Sequence, residues 1–114
     1  MGLKPVLADV ALPSAARTTG TFTSGPVAPA GAANEVLMTV HATAVSGTPT
    51  LDVSLEQSAD GSSWSAIPGS SAAQLTAAGN RVVAAAVTAN YVRVTSAVGG
   101  TTPSVTYSVG LWLR

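Results

Sequence analysis

Cysteine is absent from the 114 residues and histidine occurs once, as His41. A disulfide scaffold, a thiol nucleophile and a zinc site built on Cys or on several His are thereby excluded. Charge is almost as scarce. Five cations and five anions cancel and make up 9% of the chain, against about 25% in an ordinary soluble domain. No basic cluster stands out, so the electrostatic footprint of a nucleic-acid binder is missing. Lys occurs once, Glu twice and Gln twice, too few surface helix formers for a bundle or coiled coil. What fills the chain instead is 21 Ala, 15 Val, 14 Thr and 13 Ser. The length suits one domain, and the composition describes a small, neutral, β-rich one.

Long apolar runs are lacking too. Pro5, Asp9 and Pro13 interrupt the N-terminal stretch before it reaches signal-peptide length. Gly2 invites a myristoylation reading, but Val6 stands where Ser or Thr is expected. The uncharged stretch 94–113 carries Gly99-Gly100-Thr101-Thr102-Pro103 at its middle and alternates Ser/Thr with Val on both sides, which predicts a hairpin and no membrane span. The expectation is a cytoplasmically made protein without an export signal.

Residues 1–16 hold two prolines and few apolar anchors, Val6, Leu7, Val10 and Leu12, and read as an extended arm ahead of a domain at 17–114. A short strand is expected around Phe22, then a Pro/Gly loop at 25–31. Val36, Met38, Val40, Ala42 and Ala44 alternate with polar residues over 36–45, the period-two signature of a half-buried strand. Ser46-Gly47-Thr48-Pro49 reads as a turn into a strand at 50–58 with Leu51, Val53 and Leu55 inside. Asp60-Gly61 marks another turn, and Trp64–Ile67 a short strand ended by Pro68-Gly69. An edge strand around Leu75 and strands at 81–88, 91–98 and 104–113 complete the chain, the last two separated by the Gly-Gly-Thr-Thr-Pro turn. Seven or eight short strands at this spacing predict an all-β antiparallel sandwich or jelly roll.

One internal echo is visible. Ala44-Val45-Ser46-Gly47-Thr48-Pro49-Thr50 resembles Ala97-Val98-Gly99-Gly100-Thr101-Thr102-Pro103-Ser104 with one inserted Thr. Either a hairpin is duplicated, placing similar corners on two sheets, or Gly and Pro simply recur where strands reverse. The second reading is the more economical.

Candidates for chemistry are few. His41 lies on a strand with no predictable oxygen partners, which favours a surface role over a metal site. Asp52 and Glu56 sit about 13 Å apart by strand rise, too far for an acid/base pair, and read as a solvated face or as partners of Arg93. Asp60 is adequately explained by turn formation, since one carboxylate is thin ligation for calcium. Ser58–Trp64 approaches the Asp-box turn of sialidase-like propellers, lacking one residue of it. Trp64, Trp112, Tyr91 and Tyr107 offer either a sugar-stacking platform or packing, and aromatics spread over three strands favour packing. No G-x-S-x-G elbow accompanies the serines. No catalytic residue, cofactor or metal ligand is expected.

The order of two motifs carries a resemblance. Leu51-Asp52-Val53-Ser54-Leu55-Glu56-Gln57-Ser58-Ala59-Asp60-Gly61-Ser62-Ser63-Trp64 and Asn90-Tyr91-Val92-Arg93-Val94-Thr95, followed by the Gly-Gly-Thr-Thr-Pro segment and a Val-rich last strand, are similar to small virion proteins of tailed bacteriophages. The likeness covers roughly residues 36–113. It implies a non-enzymatic capsid decoration (cement) protein on the outer virion surface, bound to the major capsid protein and to its own copies, most simply as a trimer matching capsid local symmetry. Low net charge and few Lys or Glu to guard strand edges also favour self-association. A tail-associated protein and a carbohydrate- or receptor-binding module using Trp64 or Trp112 are the competing readings. On the decoration reading the arm residues Val6, Leu7, Val10 and Leu12 and the two tryptophans are the expected partner contacts, with neither nucleic acid nor membrane among the partners.

Overall fold

A computed structural model describes residues 7–25 and 35–113, and every regular element in them is a β-strand. In chain order these are β1 (Leu7–Arg17), β2 (Gly20–Thr23), β3 (Glu35–Ser58), β4 (Ser65–Ala66), β5 (Gly79–Ala86) and β6 (Tyr91–Leu113). All pairings are antiparallel. The expected all-β antiparallel fold is the one observed.

Two strands dominate. β3 has 24 residues and would reach about 79 Å if straight, at roughly 3.3 Å per residue. The molecule measures only 41 × 35 × 21 Å, so β3 must fold back across it. β6 runs alongside, paired from Val36 opposite Leu113 to Ser58 opposite Tyr91. The pair bends together and divides its halves between two layers. One layer has the order β1, second half of β6, first half of β3, β5; the other has β2, first half of β6, second half of β3, β4. Eight strand segments result from six strands, which agrees with the count of seven or eight expected from sequence. The layers also share a logic: exchanging β1-β2-β3 for β4-β5-β6 converts one strand order into the other.

Bulges make the bend. Between Ala42 and Ala44 the partner advances only from Tyr107 to Thr106, leaving Thr43 extra in β3. Between Ser46 and Thr48 the partner runs from Ser104 to Thr101, leaving one residue extra in β6. Each inserted residue shifts alternation by one. Buried positions in β3 accordingly switch from even (Val36, Met38, Val40, Ala42) to odd (Leu51, Val53, Leu55). In β6 they switch from Val92, Val94, Ser96 and Val98 to Val105, Tyr107, Val109, Leu111 and Leu113. All these apolar groups meet in one core.

The two segments expected as reversing turns, 46–49 and 99–103, therefore do not reverse the chain. They are the corners of β3 and β6, and they face each other, with Thr48 opposite Thr101, Pro49 opposite Gly100 and Thr50 opposite Gly99. The internal echo is neither a duplicated hairpin nor a coincidence of turns: it is a matched pair of corners. Gly47 (φ +73°) and Gly100 (φ +105°) occupy left-handed backbone there, and a Cβ on either would overlap a carbonyl oxygen, that of Thr102 or of Thr48. Thr102 itself has φ +43°, a strained setting for a β-branched residue. Pro49 and Pro103 are both buried beneath the corner.

Leu7–Ala16, expected to belong to an extended arm, and Arg17 together form an edge strand of the first layer, pairing from Leu7 opposite Leu113 to Arg17 opposite Val105. Pro13 is accommodated because β1 is an edge strand with two register shifts, between Val10 and Leu12 and between Leu12 and Ala15. Leu12 is 7% exposed and part of the core. Val6 lies outside the described residues.

Candidate functional site

The buried interior is tied together by a few polar groups. Tyr107 is wholly buried, and its hydroxyl lies 2.6 Å from Ser96 Oγ, which in turn donates to the Phe22 carbonyl at 3.0 Å. Burial raises the Tyr107 phenol above its ordinary value, while the Ser96 hydrogen bond and the Arg17 charge oppose the rise. Arg17, at the end of β1, stacks its guanidinium 4.5 Å from the Tyr107 ring and donates to the carbonyls of Tyr107 and Pro13 at 2.8 Å each. This cation closes one end of the core. Among the described residues every buried side-chain polar atom has a partner, and no group of three or more His, Asp or Glu converges.

The second layer protects its own edges. Ser24 bonds both backbone groups of Val94, its N donating to Val94 O and its Oγ accepting from Val94 N, at 2.9 Å each. On the opposite edge Ser70 Oγ accepts from Leu55 N at 3.1 Å and donates to Leu55 O at 3.2 Å. Residues 65–75 continue that edge irregularly through Ala72 and the Leu51–Leu75 bridge.

Its outer face is polar. Glu56 and Arg93, opposite each other in the register, form an ion pair at 2.8 Å, and Arg93 lies over the Trp64 ring at 4.3 Å. Asp52 is held by Gln74 Nε2 at 3.1 and 3.2 Å, so of the two carboxylates only Glu56 partners Arg93. The loop before Trp64 is an Asx-type turn. Asp60 Oδ1 accepts from Ser62 N, Ser63 N and the Ser58 hydroxyl at 2.8–2.9 Å. These bonds, led by those from Ser63 and Ser62, lower the Asp60 carboxyl to about 2. The carboxylate is thus committed to the turn, as the sequence suggested.

The first layer's outer face is different. Trp112 is 50% exposed and Val82 65% exposed. The register sets Trp112, Leu37 and Ala84 in one row across three strands, with Gly110, Thr39 and Val82 in the next. His41 follows, bonded through Nδ1 to the Asn80 side chain. The two tryptophans singled out in the sequence thus lie on opposite outer faces, Tyr107 is in the core and Tyr91 is half-buried. The four aromatics form no common platform. Leu7 and Val10 are paired with Leu113 and Gly110 through their backbones. The apolar patch of Leu37, Val82 and Ala84, spread over these two rows, escaped the sequence reading, although alternation along 81–88 put Val82 and Ala84 on one side.

No protein-family model matches the chain, and no curated protein matches it in sequence. Solved structures share its fold. The PBSX exported protein XepA superposes with a TM-score of 0.70 at 15% identity, over 95% of this chain and 37% of its own. A structure of the infectious bursal disease virus Gx strain superposes with a TM-score of 0.54 at 13% identity, over 99% of this chain and 36% of its own. The SPBc2 prophage-derived protein YomS covers 99% of this chain and 100% of its own at a TM-score of 0.49 and 11% identity, too loose a likeness to build on. The chain spans little more than a third of the first two. At such identities the likeness establishes a common sandwich fold.

Proposed function

We propose that the chain is a non-enzymatic structural protein of a bacteriophage virion, and specifically a decoration protein. It is made in the host cytoplasm and docks on the outer surface of the major capsid protein. The observation that carries this reading is the outer face of the first layer, where Trp112 stands half exposed beside Leu37 and Ala84. An uncovered tryptophan among small apolar groups is the composition of a docking centre, since Trp is enriched in binding hot spots. The motif resemblance to phage virion proteins and the fold shared with a virus structure support the setting. Co-sedimentation with empty capsids of the phage that carries this chain tests it. Saturable binding by the wild type, lost in Trp112→Glu, is the expected result. Absence of capsid binding together with clear hits on a glycan array would replace it with the carbohydrate-binding alternative.

A further inference from the structure

One edge of the sandwich differs from the other three. β2 has four residues and β4 two, and serine side chains close the backbone beside both. β1 carries Pro13 and two register shifts. β5 has none of these devices. It pairs with β3 from Gly79 opposite Ala42 to Ala86 opposite Glu35 without a shift, and no strand among the described residues pairs with its other side. A straight, unguarded edge is a template for another strand.

The side chains define what that strand can be. The one charge on β5, Arg81, is engaged with the carbonyls of Ala73 at 3.1 Å, Asn80 at 2.9 Å and Gln74 at 3.4 Å. Because it is Asn80 whose carbonyl the guanidinium reaches, Asn80 turns its backbone to the open side. Backbone groups alternate along a strand, so Val82, Ala84 and Ala86 also present their N–H and C=O groups there. Val82–Ala86 is then an uncharged run of Val and Ala with three residues facing outward. It fits a strand that is equally small, apolar and uncharged, and Val82–Ala86 is itself such a strand.

We propose that a second copy of this chain pairs with the first through β5, antiparallel about a two-fold axis at Ala84. Ala84 then opposes Ala84 of the other copy, Val82 opposes Ala86, and the first layers of two molecules join into one eight-stranded sheet. No like charges are brought together, and both Trp112 side chains stay on the same outer face. This inference rests on the edge alone and holds whether or not the chain belongs to a virion. It gives dimers or even multiples, in contrast to the trimer that capsid symmetry suggests.

Light scattering on the full chain tests it, with two variants. Ala84→Pro removes an N–H that the sandwich does not use, so the fold survives; the mass should halve with an unchanged β-type circular dichroism spectrum. Ala84→Cys should be joined to its copy by a short bifunctional thiol reagent. Val82→Cys should not, because two such residues would lie about 13 Å apart along the strands. A wild type that is monomeric or trimeric overturns the pairing, including a monomer that captures only a capsid strand. So does a folded Ala84→Pro of undiminished mass. If Ala84→Pro fails to fold, the cysteine pair decides: cross-linking at 84 and not at 82 supports the two-fold register, and any other pattern overturns it.

Discussion

The two outer faces of the sandwich are drawn from the same two long strands, yet they treat their tryptophans differently. On the second layer Trp64 lies under the Arg93 guanidinium, which Glu56 holds in place. On the first layer Trp112 has Leu37 and Ala84 in its row, and half its surface remains in water. A charged neighbour with a long stem can cover a ring while keeping its head solvated, whereas Ala and Gly cannot reach. Exposure of an aromatic is thus decided by whether a neighbouring side chain is long enough to reach over its ring. The covered face is finished within one molecule, and the bare one has surface left for another.

The largest effect is expected where both faces depend on one feature, the crossing at the corners. Gly100→Ala sets a Cβ against the Thr48 carbonyl oxygen in left-handed backbone. It should destabilise at or beyond the upper end of the roughly 0.5–3 kcal/mol typical of single substitutions. Chemical denaturation checks this, and a loss near zero would mean that the corner is not built as described.

A smaller effect separates the faces. Arg93→Ala removes a partly exposed ion pair and the cover over Trp64, and should cost about 1 kcal/mol. It should also raise the accessibility of Trp64 to a neutral fluorescence quencher toward that of Trp112. Trp112→Thr, by contrast, should remove the readily quenched part of the emission while leaving the Trp64 signal unchanged. Equal quenching of the two tryptophans in the wild type would erase the contrast.

The smallest effect belongs to Asp60 on the polar side. Its carboxyl is lowered from 3.8 to about 2 in the folded chain, so the unfolded chain takes up the proton first as pH falls. The resulting stabilisation is complete above 3.8 and is lost on descending toward 2. Asp60→Asn should show a flatter stability profile over that interval, and identical acid limbs would remove the turn as the cause.

Much of this was legible in the residues. Alternation located the strand segments expected at 36–45, 50–58, 91–98 and 104–113, because a half-buried strand must repeat every two residues, but Ala44, expected inside, is exposed because the extra Thr43 shifts the alternation. Asp60-Gly61 announced its turn through local hydrogen bonding alone. The Glu56–Arg93 pair was one of two options on a polar face, and the register chose it. β1 was not legible: Pro13 and sparse anchors argue against a strand unless it lies at an edge with bulges, and edge position is not a local property.

The sequence by itself determined the strand periodicity, the neutral composition and the absence of helix among the described residues, since each follows from side chains and their nearest neighbours along the chain. Only the tertiary structure decided what Gly47-Thr48-Pro49 and Gly99-Gly100-Thr101-Thr102-Pro103 are. Left-handed glycine and a following proline suit a reversing turn and a bulged corner equally well, as far as φ and ψ are concerned. A shift of burial from even to odd positions follows from either. What selects the corner is a second bent strand at hydrogen-bonding distance along the whole length of the first, and that partner lies some fifty residues away in the chain.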